Sequence, residues 1–441
     1  MSNLTEGEKR IGVISAITSA NEHRAEGRLG VLDLPRPDES SQRAIALIWP
    51  EDLRIWTEHF HDMDRTGPQW GNLQTVFNNK VLFAMPSNQV WKAHHELMIS
   101  SMSARYLGTL PAVAAGLTDQ LTSNWAREVT FDLTGNDITN KFLEIDMMAA
   151  SKVLLGYPLE YQEMLEVRTA LANLHAGAGA SVEVNAIWAK PKGAEVFNNT
   201  TNAGLERLRE FARAVRDRVQ ISPESSPVVA ELIAKERLEH FGLDKTLHEI
   251  ITVLLGSQST MSSSQMSLLF LLSQPENHYW QENLRTSQGP DRERLVKAMY
   301  KEVLRLYPSI YVHSRDVTRE FEFTDSAGND IRLTMGDKIV IFPSVTQRLP
   351  DIWEDPDRFD PSRHTQNPSK KSQSQHPLIP FGFGPHVCIG APTAMIGGPV
   401  PVVRILDQFE TTVKEAYYPE PEYQFTMSPN RRNVYTLKPL A

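Results

Sequence analysis

The sequence predicts a mainly α protein with a small β part, and three observations carry that prediction. Helix-period patterning dominates from Asn88 to about Ile221 and returns from Asp244 to Ser273. After Tyr307-Pro308 the texture changes to short extended runs separated by turn signals. No internal repeat divides the chain into arrays.

The elements follow in order. After Arg28, "LGVLDLP" and "AIALIWP" read as short extended segments. The helical stretch from Asn88 is broken at "GLT", "GYP" and "AGAGAS". A helix is expected over Pro227–Glu239, where Ser226 can cap and Pro227 suits the first helical position. Asp244–Ser273 is a longer helix, Pro275 opens another helix-like stretch, and a further helix runs from about Pro290 to Leu306. Tyr307-Pro308 closes that helix, because proline disfavours the helical state of the residue before it. Arg319–Ser344, "REFEFTDSAGNDIRLTMGDKIVIFPS", reads as a small antiparallel sheet, and "YQFTMS" with "NVYTLKP" as a second pair. The polar stretch Ser362–Pro377 reads as a surface loop.

Composition bounds the function. The chain has 441 residues, 41% apolar and 22% charged, enough for a large core. Its 45 basic against 54 acidic residues leave a formal net charge of −9, which argues against a nucleic-acid partner. Met1 to Gly27 hold only a short mixed run, "IGVISAITSA", neither a membrane span nor a convincing signal peptide. The expectation is a soluble, cytoplasmic protein with no membrane anchor.

Cys388 is the only cysteine, set in "PFGFGPHVCIG" (Pro380–Gly390). A single cysteine excludes an internal disulfide and any multi-cysteine zinc or iron–sulfur site. It is therefore a small core residue, a nucleophile or a single thiolate ligand. A dinucleotide-binding loop fails, because the third glycine would fall on Val387. A cysteine–histidine nucleophile with His386 is conceivable, but no partner is fixed to orient the histidine. A thiolate ligand needs backbone N–H support and a dry site. Gly382, Gly384 and Gly390 permit tight turns, and Phe381 can shield the sulfur.

The spacing Phe381-x-x-Gly384-x-His386-x-Cys388-x-Gly390 resembles the haem-binding loop of the cytochrome P-450 superfamily. The resemblance implies that Cys388 is the axial thiolate of haem b and that His386 touches a haem propionate. Other positions extend it. "KEVLRLYP" holds Glu302-x-x-Arg305, and with Arg358 of "DPDRFDP" these stand where the family keeps a structural Glu–Arg–Arg triad. Arg315 in "HSRDVTRE" stands at a propionate-binding arginine, and Trp91-x-x-x-His95 at a helix that supplies propionate donors. The set runs from Trp91 to Gly390, and it implies one haem-thiolate catalytic domain over 1–441. The haem is expected between the long oxygen-side helix and the cysteine loop.

On that helix, Leu247, Ile251, Leu254, Met261, Leu268 and Leu272 form an apolar stripe interrupted by Gln258 and Gln265. Thr252, Gly256, Ser259 and Ser263 form a second arc of small residues, against which a flat cofactor can lie. The family pattern Ala-Gly-x-(Asp/Glu)-Thr is read onto Leu255-Gly256-Ser257-Gln258-Ser259, followed by Thr260. In that register Ser259 supplies the hydroxyl, Gln258 replaces the acid, and Leu255 crowds the space above the iron. An amide orients water but has no titratable proton near neutral pH. Past the cysteine, Gly397-Gly398-Pro399-Val400-Pro401 should break or kink the following helix.

The implied activity is oxidation of an apolar small molecule with dioxygen, using electrons from a separate ferredoxin or flavodoxin. Substrate contacts are expected from Leu255, from the loop before Trp91 and from "NLHAGAGASVEVNAIWAKPKG". The missing acid keeps open a peroxide-driven or non-oxygenating haem-thiolate enzyme (coupling, rearrangement, dehydration). A haem-based sensor is the non-catalytic alternative.

Overall fold

The computed structural model describes residues 30–35, 41–65, 82, 85–102, 107–125, 129–179, 199–236, 242–365, 378–415, 417–423 and 426–440. The expectations for the first 27 residues, for most of the loop before Trp91, for the segment 180–198 and for most of Ser362–Pro377 lie outside them.

Helices dominate, as the periodicity predicts. In chain order they are α1 (Arg54–Glu58), α2 (Gln89–Ser101), α3 (Leu110–Leu121), α4 (Gly135–Val153), α5 (Tyr161–Gly179), α6 (Asn199–Ile221) and α7 (Pro227–Lys235). Then come α8 (Gly242–Leu272), α9 (His278–Thr286), α10 (Gly289–Leu306), α11 (Pro343–Thr346), α12 (Ala391–Gly397) and α13 (Val400–Leu406). Among the described residues, no helix is long and apolar enough to cross a membrane.

Side-chain caps set several starts. The Ser226 hydroxyl accepts from the Val229 amide at 3.1 Å with Pro227 following, so α7 begins where the sequence signalled. Thr134 and Asp137 form a reciprocal capping box at α4. The Asn88 carbonyl oxygen accepts from the Trp91 amide at 3.0 Å and so fixes the first turn of α2, where Trp91 sits.

The strands are β1 (Gly30–Pro35), β2 (Ser41–Ala46), β3 (Met63–Asp64), β4 (Phe131–Thr134), β5 (His313–Val317), β6 (Phe321–Thr324), β7 (Asp330–Leu333), β8 (Lys338–Ile341), β9 (Phe409–Val413), β10 (Glu422–Tyr423), β11 (Met427–Ser428) and β12 (Val434–Pro439). They form a five-stranded sheet ordered β1-β2-β8-β5-β3, a three-stranded sheet β4-β12-β9, and two pairs, β6-β7 and β10-β11.

Two sheet expectations change. Within Arg319–Ser344 only β6 and β7 pair as a hairpin, while β8 leaves to lie parallel to β2 and antiparallel to β5. "YQFTMS" does not pair with "NVYTLKP": it supplies parts of β10 and β11, which pair with each other, while β12 pairs with β4 and β9. Strand partners distant in sequence decide both cases, and local patterning carries no signal of them.

Helix α8 runs through the core. Leu247, Ile251, Leu254, Leu268 and Leu272 of the expected stripe are all at most 2% exposed. The kink expected after the cysteine is present: α12 stops at Gly397, and α13 resumes at Val400. The glycines have a packing reason. A Cβ on Gly397 would meet Leu110 Cδ2 at 2.7 Å, and one on Gly398 would overlap the Tyr300 hydroxyl.

Candidate active site

The cysteine loop is shaped by its glycines. Gly382 and Gly384 both take φ of 68°, a left-handed backbone that side-chain-bearing residues rarely adopt. Gly384 also lies so near α1 that a Cβ there would meet Thr57 Cγ2 at 2.7 Å. Gly390 has an ordinary φ of −82°, and its contribution is its amide. The Cys388 amide donates to the Phe381 carbonyl at 2.9 Å and closes the loop.

Cys388 is ringed by protein, yet its side chain has open surface, because that surface faces an internal cavity of about 420 Å³. Burial pushes its thiol pKa up, while hydrogen bonds from the Gly390 and Ala391 amides pull it down. Burial dominates, so a cationic centre is what would complete the thiolate. Among the described residues, no group of three or more His, Cys, Asp or Glu could hold a metal ion.

Helix α8 forms the opposite wall, and here the structure corrects the sequence reading. Thr252, Gly256, Thr260 and Ser264 line the cavity at intervals of four, with Val253, Ser257 and Met261 beside them. Ser259 and Gln258 are absent from that lining, and among the described residues neither the Ser259 hydroxyl nor the Gln258 side-chain oxygen has a hydrogen-bond partner. Ser263 turns instead to Thr426, at 2.6 Å. Each residue advances about 100° around a helix, so a one-residue slip rotates Ser259 off the wall. The Thr260 hydroxyl donates to the Gly256 carbonyl at 2.8 Å. The register that fits the wall is therefore Gly256-Ser257-Gln258-Ser259-Thr260, with Ser259 at the acid position. Leu255 lines the cavity.

One edge of the cavity is cationic and aromatic. Arg315, on β5, is 7% exposed, lies 4.7 Å over the Trp56 ring and donates to the Ser314 carbonyl. Burial lowers its pKa to about 10 despite nearby Asp64 and Asp316. Trp91 stacks on His95 at 4.9 Å and meets the His386 ring at 3.9 Å. His95 Nε2 donates to the Val387 carbonyl at 3.1 Å, which ties α2 to the cysteine loop. His386 Nε2 lies 2.9 Å from the Ser87 hydroxyl, which donates to Asp64 at 2.7 Å. Since the carboxylate only accepts, His386 is the donor to Ser87. Burial, then Arg65 and Arg315, hold its pKa down.

Arg65 is a site residue that the sequence does not announce. It is 5% exposed, lines the same cavity, donates to the Met85 carbonyl at 3.1 Å and lies 5.8 Å from the Trp91 ring. Burial and then Arg315 hold its pKa well down. A basic residue after a two-residue strand carries little local signal, since only the fold brings it to Trp91.

Behind the loop, Arg305 grips Glu302 with two bonds of 2.8 Å, both side chains fully buried. Burial opposes ionisation of Glu302, but bonds from Arg305 and His364 outweigh it and bring its pKa down to about 2. Arg358 is not the third side chain: it is exposed, and only its carbonyl accepts from Arg305, at 3.2 Å. Arg363, 3.4 Å from Glu302, and His364, at 2.9 Å, take that place. Arg305 also donates to the Gln347 carbonyl, and the Gln347 side chain accepts from the Ile379 amide at 2.7 Å. The ion pair is thus linked to the start of the cysteine loop.

These residues fit a haem. A sulfur open to the cavity faces Gly256, where an added Cβ would meet nothing within 4 Å. Two arginines at one edge suit two carboxylates.

Comparisons with known proteins agree. The model of the family "Cytochrome P450" matches residues 57–437. A putative cytochrome P450 120 of Synechocystis is 25% identical over 230 residues, 49% of this chain and 51% of that one. Cytochrome P450 CYP72A219 of Panax ginseng is 28% identical over 222 residues, 46% and 41% of the two chains. The chain spans about half or less of the length of these relatives. The retinoic-acid-bound cyanobacterial CYP120A1 structure superposes with a TM-score of 0.74 at 16% identity, over 95% of this chain and 94% of that one. A cytochrome P450DA mutant heme domain gives 0.73 at 16% identity, over 96% and 92%. At that identity the two structures speak for the fold. With the family model matching most of its length, the chain belongs to the cytochrome P450 family, and its cofactor is haem b.

Proposed function

We propose that the chain is a haem-thiolate monooxygenase that puts one oxygen atom of dioxygen into an apolar small molecule. Electrons would come from a separate ferredoxin- or flavodoxin-type donor. One observation carries the reading: a lone cysteine sulfur, held by two amides, shares a cavity with the Gly256–Thr260 turn of α8. The cavity lining supports a single catalytic domain, since it draws on residues from Trp56 to Ala394.

In this reading Cys388 would ligate the haem iron through its sulfur, which the amides of Gly390 and Ala391 support. Arg65 and Arg315 would hold the cofactor carboxylates, beside the packed rings of Trp91 and His386. When bound, haem supplies the one-electron and dioxygen chemistry. Phe381, Leu255 and Met261 keep water from the cavity. Thr260 holds a proton at Oγ1, parked on the Gly256 carbonyl and free to rotate toward the cavity.

A second reading rests on a specific feature of the lining. Among the described residues no Asp or Glu faces the cavity, and Ser259 stands at the acid position. A peroxide-driven or non-oxygenating reaction needs no carboxylate relay, and that favours it as the alternative. The test has two stages. The ferrous–carbonyl complex should absorb at the long wavelength of thiolate-ligated haem, and Cys388→Ser should abolish that band. A ligand screen by haem absorbance then finds a substrate. Turnover with reduced ferredoxin but not with peroxide supports the monooxygenase, and the reverse supports the alternative.

A further inference from the structure

Apart from the guanidinium donors of Arg65 and Arg315, the hydroxyls of the cavity wall are mostly spent internally. The hydroxyls of Thr252, Ser257, Thr260 and Ser309 donate to the carbonyls of His248, Leu254, Gly256 and Thr260. Thr393 Oγ1 is unpaired among the described residues, but it belongs to α12 on the cysteine side. On β5 there is another exception. His313 lines the cavity, and its Nε2 is buried with no partner among the described residues. Side chains alternate along a strand, so His313 shares a face with Arg315, which lines the same cavity. Its Cε1 approaches Gly382, where an added Cβ would meet it at 3.9 Å, so the ring lies beside the cysteine loop.

A buried ring nitrogen without a partner costs free energy unless a ligand satisfies it. We propose that His313 is a hydrogen-bond site for a carboxylate or carbonyl oxygen held inside the cavity. That oxygen belongs either to a cofactor carboxylate or to the polar end of an otherwise apolar substrate. With its proton on Nε2 the neutral ring donates, and the neighbouring Arg315 cation favours an anionic acceptor. Burial and Arg315 lower the ring's pKa to about 4, so it stays neutral at physiological pH. The inference rests on the haem-thiolate reading above. If wild-type protein lacks the long-wavelength ferrous–carbonyl band, that reading fails, irrespective of His313.

The experiment uses the haem-loaded chain as wild type, His313→Leu and His313→Gln. Two quantities are read: the rate of haem transfer to apomyoglobin, and the affinities of decanoic acid and decane from the shift in haem absorbance. If the oxygen is the substrate's, His313→Leu weakens decanoic acid roughly ten-fold and leaves decane unchanged. If it is the cofactor's, His313→Leu speeds haem transfer roughly ten-fold and weakens the two probes alike. In either case His313→Gln, which keeps a donor, recovers most of the loss. The proposal is overturned if a folded His313→Leu changes neither haem transfer nor the acid-over-alkane ratio. It is also overturned if Gln behaves as badly as Leu. Should His313→Leu fail to load haem, His313→Ala and His313→Gln decide by the same two readings.

Discussion

Thr260 and Gly256 lie one turn apart on α8, and the threonine hydroxyl donates to the glycine carbonyl at 2.8 Å on the wall facing the Cys388 cavity. Ser309 adds a second hydroxyl to this turn, donating to the Thr260 carbonyl at 2.7 Å. A helix whose carbonyls take side-chain bonds is locally loosened. The turn presents the Ser257 and Thr260 hydroxyls to the cavity, each parked on a carbonyl of its own helix, and keeps the Ser259 hydroxyl out of it.

That geometry separates two adjacent residues. Thr260→Ala should slow substrate oxidation roughly ten-fold or more and divert electrons to hydrogen peroxide, because it removes the hydroxyl proposed to hold the proton. Ser259→Ala removes a hydroxyl with no partner and should leave coupling unchanged. Peroxide released per electron consumed is the measurement. Equal effects from the two variants would count against a register that puts Thr260, and not Ser259, on the cavity wall.

The Glu302 cluster yields a stability prediction with a pH sign. Glu302→Ala leaves Arg305 buried and unpaired and should cost roughly 3–5 kcal/mol. Arg358→Ala removes an exposed side chain and should stay within about 0.5 kcal/mol, whereas Arg363→Ala should cost about 1–3 kcal/mol. The Glu302 pKa is about 2 in the folded chain against an ordinary 4.5. Its stabilisation is therefore complete above the ordinary value and is lost as pH falls from there through the folded one. Urea midpoints across that acid range, for wild type and Arg358→Ala in parallel, check both statements.

How far the sequence can be read depends on how local each signal is. The Cys388 loop and Glu302-x-x-Arg305 are contiguous, so their spacing alone identifies them. Arg358 and Arg363 both follow the same Asp/Pro-rich stretch, and only the chain path after Phe359 decides which guanidinium turns inward. Ser259 and Thr260 are confused because a polar run, "GSQSTMSSS", gives a helix wheel only Met261 as an apolar mark to fix its phase. Arg65, Ser87 and Asp64 carry no signal, since their meeting with Trp91 and His386 is made by strand pairing of β3 with β5.

Arg65 should matter to cofactor retention. It and Arg315 are buried at one edge of one cavity, where burial disfavours both charges and Arg315 makes that of Arg65 harder still to keep. An anionic ligand relieves both. Arg65→Leu should release haem to apomyoglobin roughly ten-fold faster, with Arg65→Lys in between, because lysine keeps the charge but not the fork of donors. Haem release unaffected by Arg65→Leu would remove it from the cofactor edge.

Asp146 supplies the last prediction. It lies on α4, 3% exposed, and Gln265 of α8 donates to its Oδ1 at 2.8 Å. Its Oδ2 and the Gln265 side-chain oxygen are both buried acceptors without a partner among the described residues. Burial raises the Asp146 pKa well above the ordinary carboxylate value, and the single bond from Gln265 offsets this only in part. A protonated Asp146 can donate from Oδ2 to the Gln265 oxygen, which would satisfy both orphans in one cyclic pair. In the unfolded chain the same carboxyl ionises near its ordinary value, so above that pH the folded state holds the extra proton. Stability from this pair is complete at low pH and drains away as pH rises toward the folded pKa. Asp146→Asn offers the same donor and acceptor without a titratable proton. It should therefore unfold at higher urea than wild type under mildly alkaline conditions, with the gap narrowing as pH falls. A gap that is constant with pH would mean that Asp146 is charged in the folded protein and that some other group satisfies its free oxygen.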